Sequence, residues 1–183
     1  MHATSGVAAK VRTSCGRFSR RGDATLRNVR FVLAMLGLAV LCTAAGSASA
    51  PLPLTTVVID SDHGPVTFKV EVAADKVTQA HGLMFRAKMP ANAGMLFDFH
   101  TAQYENFWMK DTALPLDLIF IRQNGTISSI APNAVPYSEI TIPSAEPVRA
   151  VLEINGGRAA TLGIEPDQRV HNAAFGNVLP GQK

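Results

Sequence analysis

From residue 56 onward, apolar and polar positions alternate in short runs, with a period of two more often than a helical one. Val66, Phe68, Val70 and Val72 alternate with Thr67, Lys69 and Glu71, which predicts a strand with one wet face. Thr56–Ile59 reads as a preceding strand, joined to it by the turn Asp60-Ser-Asp-His-Gly64-Pro65. Further strands are predicted at Gly94–Phe99, Phe107–Met109, Leu116–Arg122, Thr126–Ile130, Arg149–Ile154 and Arg169–His171. Asn124-Gly125 tolerates positive φ at both residues and predicts a hairpin between two of them. A helical period appears only over Asp75–Gly82, where Val77, Ala80 and Met84 are in phase, and in a turn at Gly157–Leu162. The fold class expected is therefore all-β: a compact jelly-roll-like sandwich or small barrel with one or two short helices.

The first fifty residues follow another pattern. A basic stretch from Arg17 to Arg30 precedes twelve apolar residues, Phe31 to Cys42, and a small-residue run ending in Ala48-Ser49-Ala50. This is the layout of a secretory signal cut after an A-x-A site. Twelve residues at helical rise cover about 18 Å, short of the roughly 30 Å hydrocarbon core. The expected organisation is a signal peptide over 1–50, a linker at 51–55, one β-rich domain over 56–175 and a tail at 176–183. Location would be periplasmic or extracellular. The alternative is an uncleaved N-terminal membrane anchor, because no charge occurs between Arg30 and Asp60.

Removing the leader changes the composition. The whole chain has 17 Lys and Arg against 14 Asp and Glu, but seven of the bases and one acid precede Pro51. Ten bases and thirteen acids remain, a formal charge of −3, so nucleic acid is not an expected partner. Both cysteines, Cys15 and Cys42, also fall in the leader. The remaining domain has no disulfide, thiol nucleophile or thiolate metal site. His63, His81, His100 and His171 show no metal-ligand spacing, and no phosphate loop, nucleophile elbow or dinucleotide fingerprint is present. No cofactor is expected.

Five ordered motifs stand out: Gly82-Leu-Met-Phe-Arg86, Gly94-Met-Leu-Phe97, Trp108-Met-Lys-Asp-Thr112, Pro115-Leu-Asp117 and Val151-Leu-Glu-Ile-Asn-Gly156. Together they resemble domain-of-unknown-function family 192, also called uncharacterised protein family 0127, over roughly residues 56–171. The resemblance implies a β-rich sandwich of jelly-roll type with one short helix and brings no established activity. Two departures are visible: Asp111 stands where the family usually has Asn, and Asp167-Gln168 replaces a Gly-Asp turn.

Six residues are candidates for a ligand site: Arg86, Trp108, Lys110, Asp111, Asp117 and Glu153. Asp117 lies in Leu116-Asp-Leu-Ile-Phe-Ile121, a strand expected to be covered on both faces, so its charge needs a partner. Either it is a structural acceptor of ion-pair or loop N–H bonds, or it is a binding or general-base carboxylate. Arg86 offers five fixed donors, for a structural pair with Asp117 or Glu153 or for an anionic ligand. Trp108 is either core or a stacking platform, with Lys110 and Thr112 on its side of an extended segment and Met109 and Asp111 on the other. Glu153 interrupts an apolar strand, where it is cross-strand paired or solvent-facing, or a second carboxylate beside Asp117.

These residues suggest a non-catalytic exported domain that binds a small polar ligand or an envelope component. Two alternatives stay open. One is a carbohydrate-directed hydrolase using Asp117 and Glu153, which requires their carboxylates about 5–10 Å apart. The other is a protein-interaction module, which requires a continuous exposed apolar patch. A membrane would be contacted only through an uncleaved leader.

Overall fold

Short β-branched and aromatic runs punctuated by Gly, Pro and Asn assemble here into a sheet. The computed structural model describes residues 51–181, so the leader assignments on residues 1–50 and the last two residues lie outside the described residues. Nine strands form in chain order: β1 Leu54–Ser61, β2 Gly64–Ala73, β3 Ala93–Gln103, β4 Asn106–Phe107, β5 Leu116–Ile121, β6 Ile127–Ala134, β7 Ile142–Pro143, β8 Val148–Asn155 and β9 Val170–His171. Seven of them form one curled sheet in the order β6-β5-β8-β3-β2-β1-β9, while β4 and β7 pair separately. Among the described residues the helices are α1, Lys76–His81, and α2, Arg158–Leu162, with one 3-10 turn at Ala173–Phe175. The chain is thus mostly β, a half-barrel sheet with a small second sheet, as its alternation predicts. No helix among the described residues is long and apolar enough to cross a membrane.

The sheet is covered on both sides. One core packs Val57, Ile59, Phe68, Val70, Ile119, Leu152 and Ile154 against Ala159 of α2, Ile164 and Val170. The other packs Met95, Phe97, Leu118, Phe120 and Val151 against Leu83 and Met109 from the loops on the opposite side. β5 is buried at every position and β8 at all but its last, which explains their nearly unbroken apolar sequence. Each fully buried side chain of this kind stabilises the fold by roughly 1.5–3 kcal/mol.

Local chemistry sets the boundaries. Asp75 caps α1, its Oδ1 accepting from the Val77 and Thr78 amides at 2.9 and 3.0 Å, and Gly82 ends it. The helix occupies the span its periodicity predicts, with Asp75 and Gly82 as its caps, and buries no residue. Val77 is 79 % exposed, so the caps hold α1, together with Gln79 Nε2 donating to the Asp98 carbonyl at 2.9 Å. The helix lies in the connection between β2 and β3, which pair in parallel. At the hairpin only Gly125 takes positive φ, +81°, and the turn is closed by its amide on the Arg122 carbonyl. The segment after β4 is not extended as expected: the strand ends at Phe107, and Asp111 turns the chain with φ +52°. β1 begins at Leu54, inside the stretch read as a linker, and β6 continues four residues past Ile130. The small strand β7 had no signal in the sequence, since two residues at Ile142-Pro143 carry no period.

Candidate functional site

β5 and β8 pair antiparallel, with Asp117 opposite Ile154 and Leu118 opposite Glu153. Residues directly opposed across a ladder share a face, and adjacent residues take opposite faces. Asp117 therefore lies on the side of Ile154 and the first core, whereas Glu153 lies on the side of Leu118 and the second. The two carboxylates leave the sheet in opposite directions. They cannot flank one scissile bond, and the two-carboxylate hydrolase is ruled out on this geometry.

Asp117 is fully buried and fully occupied. Its Oδ1 accepts from the Asn133 and Gly157 amides at 2.8 and 2.9 Å, and Oδ2 accepts from the Ala159 amide at 2.8 Å. Two of these amides open α2, so a strand residue caps a helix distant in sequence. Asp117 is thus the acceptor of loop N–H groups, one of the two roles its sequence context allowed.

Arg86 is also committed. It donates to Glu71 through both terminal guanidinium nitrogens, Nη1 and Nη2, at 2.5 and 2.6 Å. Neither Asp117 nor Glu153 is its partner. The pair ties the loop after α1 to β2, and the guanidinium holds the Glu71 carboxyl below the usual carboxylate range. Arg86 and Asp111 line a separate hollow of about 350 Å³ with Phe85, Ala87, Ala113 and Tyr137. Around it Phe85, Asp111 and Tyr137 all have positive φ, which is costly for aromatic residues. The Phe85 amide donates to the Asp111 carbonyl at 2.8 Å and the Tyr137 amide to the Thr112 carbonyl at 3.1 Å, and these bonds fix the conformation.

Glu153 is different. Its residue is 4 % exposed, and its carboxyl has no hydrogen-bond or ion-pair partner among the described residues. Burial pushes it up to about 8, so the carboxyl holds its proton at neutral pH. It lines a cleft of about 290 Å³ between α1 and the β4 segment. Phe97, Phe99, Phe107 and Trp108 wall this cleft, with Leu83 and Met84 below α1 and Gln79, His81, Glu105, Asn106 and Thr112 as its polar groups. Phe107 stands edge-on to Phe97, with ring centres 5.1 Å apart at 86°, and this packing sets the wall. Gly94, opposite Ile154, lets β3 and β8 approach on the face of the first core: a Cβ there would collide with the Glu153 carbonyl and crowd Ile154 and Val70.

Trp108 is half exposed, not core, and the Lys110 ammonium sits 5.5 Å from its ring centre. Of the six candidates, the structure therefore places Trp108 and Glu153 on one cleft with Lys110 at its rim. Arg86, Asp111 and Asp117 lie elsewhere. His81, Glu105 and the three Phe residues were missed as lining, because they come from three separate segments with no shared spacing. The nearest signal was Gly82-Leu-Met-Phe-Arg86, whose first residues line the cleft. Among the described residues no group of three His, Cys, Asp or Glu side chains is placed to hold a metal ion.

No curated protein matches the chain. Among the solved structures similar to it are the following two. A crystal structure from Sinorhizobium meliloti 1021, of a protein provisionally called a transcription regulator, is 42 % identical with a TM-score of 0.66. That match covers 68 % of this chain and 97 % of the other. A protein of unknown function from Novosphingobium aromaticivorans DSM 12444 is 41 % identical with a TM-score of 0.65, covering 68 % and 94 %. The family model for DUF192, described as Uncharacterized ACR, matches residues 57–172. With more than half of its length matched, and with the fold described above, the chain belongs to the DUF192 family.

Proposed function

We propose that this is an exported, non-catalytic domain that binds a small envelope molecule in the cleft floored by Glu153. One observation carries the reading: a deeply buried carboxyl with no partner among the described residues opens on a cavity walled by aromatic rings. A buried polar group without a partner costs stability, and such costs concentrate where a ligand supplies the missing bond. The cavity size suits a small molecule, near the lower limit for ligand sites. The leader supports the location, since its basic stretch, apolar run and A-x-A site are those of a secretory signal. Nucleic acid is not part of the reading, because the residues after Ala50 carry a formal charge of −3.

A fragment screen on the isotope-labelled full chain tests the binding. Ligands should shift amides of α1, β4 and β8, and those shifts should vanish in Glu153→Gln and Trp108→Ala but persist in Arg86→Ala. Equal binding by all three variants would sink the cleft as the site. For the location, N-terminal sequencing of exported protein should begin at Pro51. A chain still carrying Phe31–Cys42 would mean an anchor instead.

A further inference from the structure

The lining of the cleft has a charge bias. Two carboxyl side chains, Glu105 and Glu153, contribute to it, and neither Lys nor Arg does. An anionic ligand would meet two acids among the described lining, with Lys110, held over Trp108, as the cation at the rim. The walls are rings whose faces carry negative potential, and Trp108 already holds one ammonium, that of Lys110, at 5.5 Å. Among the described residues none donates to the Glu153 side chain. An ammonium entering the cleft would supply the positive charge and the N–H donors that this carboxylate lacks.

We infer that the cleft takes an organic cation, its ammonium paired with the Glu153 carboxylate and its apolar stem or ring lying against Phe97, Phe107 and Trp108. The inference rests on the cleft being a binding site, and it adds the chemical class of the ligand. Pairing ionises Glu153, so binding at neutral pH expels its proton to solvent while the amine keeps its own. The titratable groups facing Glu153 are His81 from α1 and Glu105 from the β3–β4 connection, with Lys110 at the rim beside Trp108. The flanking strands present only Met95 and Leu118 opposite it.

Three probes of similar shape separate the outcomes on the full chain: benzylammonium, benzyl alcohol and benzoate. Nα-acetyl-lysine methylamide is added as a fourth, because a free amine and a lysine side chain carry the same group. Calorimetry at pH 7 in two buffers of different ionisation enthalpy should show close to one proton released per benzylammonium bound. Affinity for benzylammonium should rise about tenfold per pH unit up to about 8 and then level. Glu153→Gln should abolish both the proton release and the slope, whereas Arg86→Ala, outside the cleft, should keep them. The tighter of benzylammonium and the lysine derivative shows whether a free amine or a side chain is preferred. Benzyl alcohol binding as tightly as benzylammonium, without proton release, would overturn the cationic class and leave the binding site standing. If no probe moves the cleft amides at millimolar concentration, both the class and the site fail.

Discussion

Asp117 faces Ile154 and Glu153 faces Leu118 across one β5–β8 ladder, so two carboxylates one register step apart are delivered to opposite sides of the sheet. The step divides their chemistry. Asp117 finds three backbone amides and serves the fold. Glu153 finds none and opens on the cleft.

Replacing Asp117 should therefore cost stability without touching the cleft. Asp117→Ala strands three buried N–H groups, and a loss of about 3 kcal/mol is expected in denaturant unfolding. Asp117→Asn keeps one acceptor oxygen but turns an NH₂ toward an amide, for a loss of about 2 kcal/mol. Hydrogen exchange should accelerate first at Gly157 and Ala159, where α2 loses its cap. A variant with wild-type exchange at those amides would mean that the carboxylate does not hold the helix.

Glu153 should show the opposite behaviour. Its carboxyl keeps its proton to about 8 in the fold, against 4.5 for the ordinary group. Between those values the folded state binds more protons than the unfolded chain. Stability must then fall as pH rises through that window and level off above it, by a contribution on the order of 3 kcal/mol at pH 7. Glu153→Gln carries no titratable group, so the difference between wild-type and variant stability should follow this curve. A difference that stays flat from pH 5 to 8 would show that Glu153 is ionised in the fold.

The Glu71–Arg86 pair should respond at the acid end. Its carboxyl is held below its ordinary value, so its contribution is present above about 4.5 and is lost as pH falls through the lower folded value. Both side chains are partly exposed, which limits the pair to about 1 kcal/mol. Arg86→Ala should lower stability by that amount at pH 7 and by progressively less as pH falls below about 4.5. A large loss of cleft binding in Arg86→Ala would instead link this loop to the site.

Much of the fold was legible because it rests on local pattern. The wet-faced alternation of β2 appears as buried Phe68 and Val70 between exposed Thr67 and Lys69. The unbroken apolar run of β5 appears as a strand covered twice. The site was legible only in part, since its groups converge by tertiary packing. Trp108 and Glu153 were found because a lone Trp and an acid in an apolar strand are conspicuous. His81, Glu105 and the Phe wall were not, because periodicity reports a face of one element and not which loops meet over it. Arg86 was matched to the wrong acid for the same reason: Glu71 lies on the wet side of a strand, where a charge needs no partner.

The two departures from the family pattern fall where backbone geometry decides the residue. Asp111 and Asp167 both have positive φ, +52° and +68°, a region that Gly and Asn enter more easily than other residues. Their side chains differ in what they return. The Asp167 carboxylate accepts from Arg122 Nη1 at 2.8 Å, inside a network that also holds Glu146, whereas Asp111 makes no side-chain bond. Asp111→Gly should therefore relieve strain at no loss and stabilise by about 0.5–1 kcal/mol, with Asp111→Asn gaining a smaller amount. Asp167→Gly should come out near zero, because the same relief is offset by a lost exposed ion pair. Thermal unfolding of the three variants checks the ranking. If Asp111→Gly proved destabilising, its side chain would have a role in the hollow beside Phe85 and Tyr137 that backbone geometry alone does not explain.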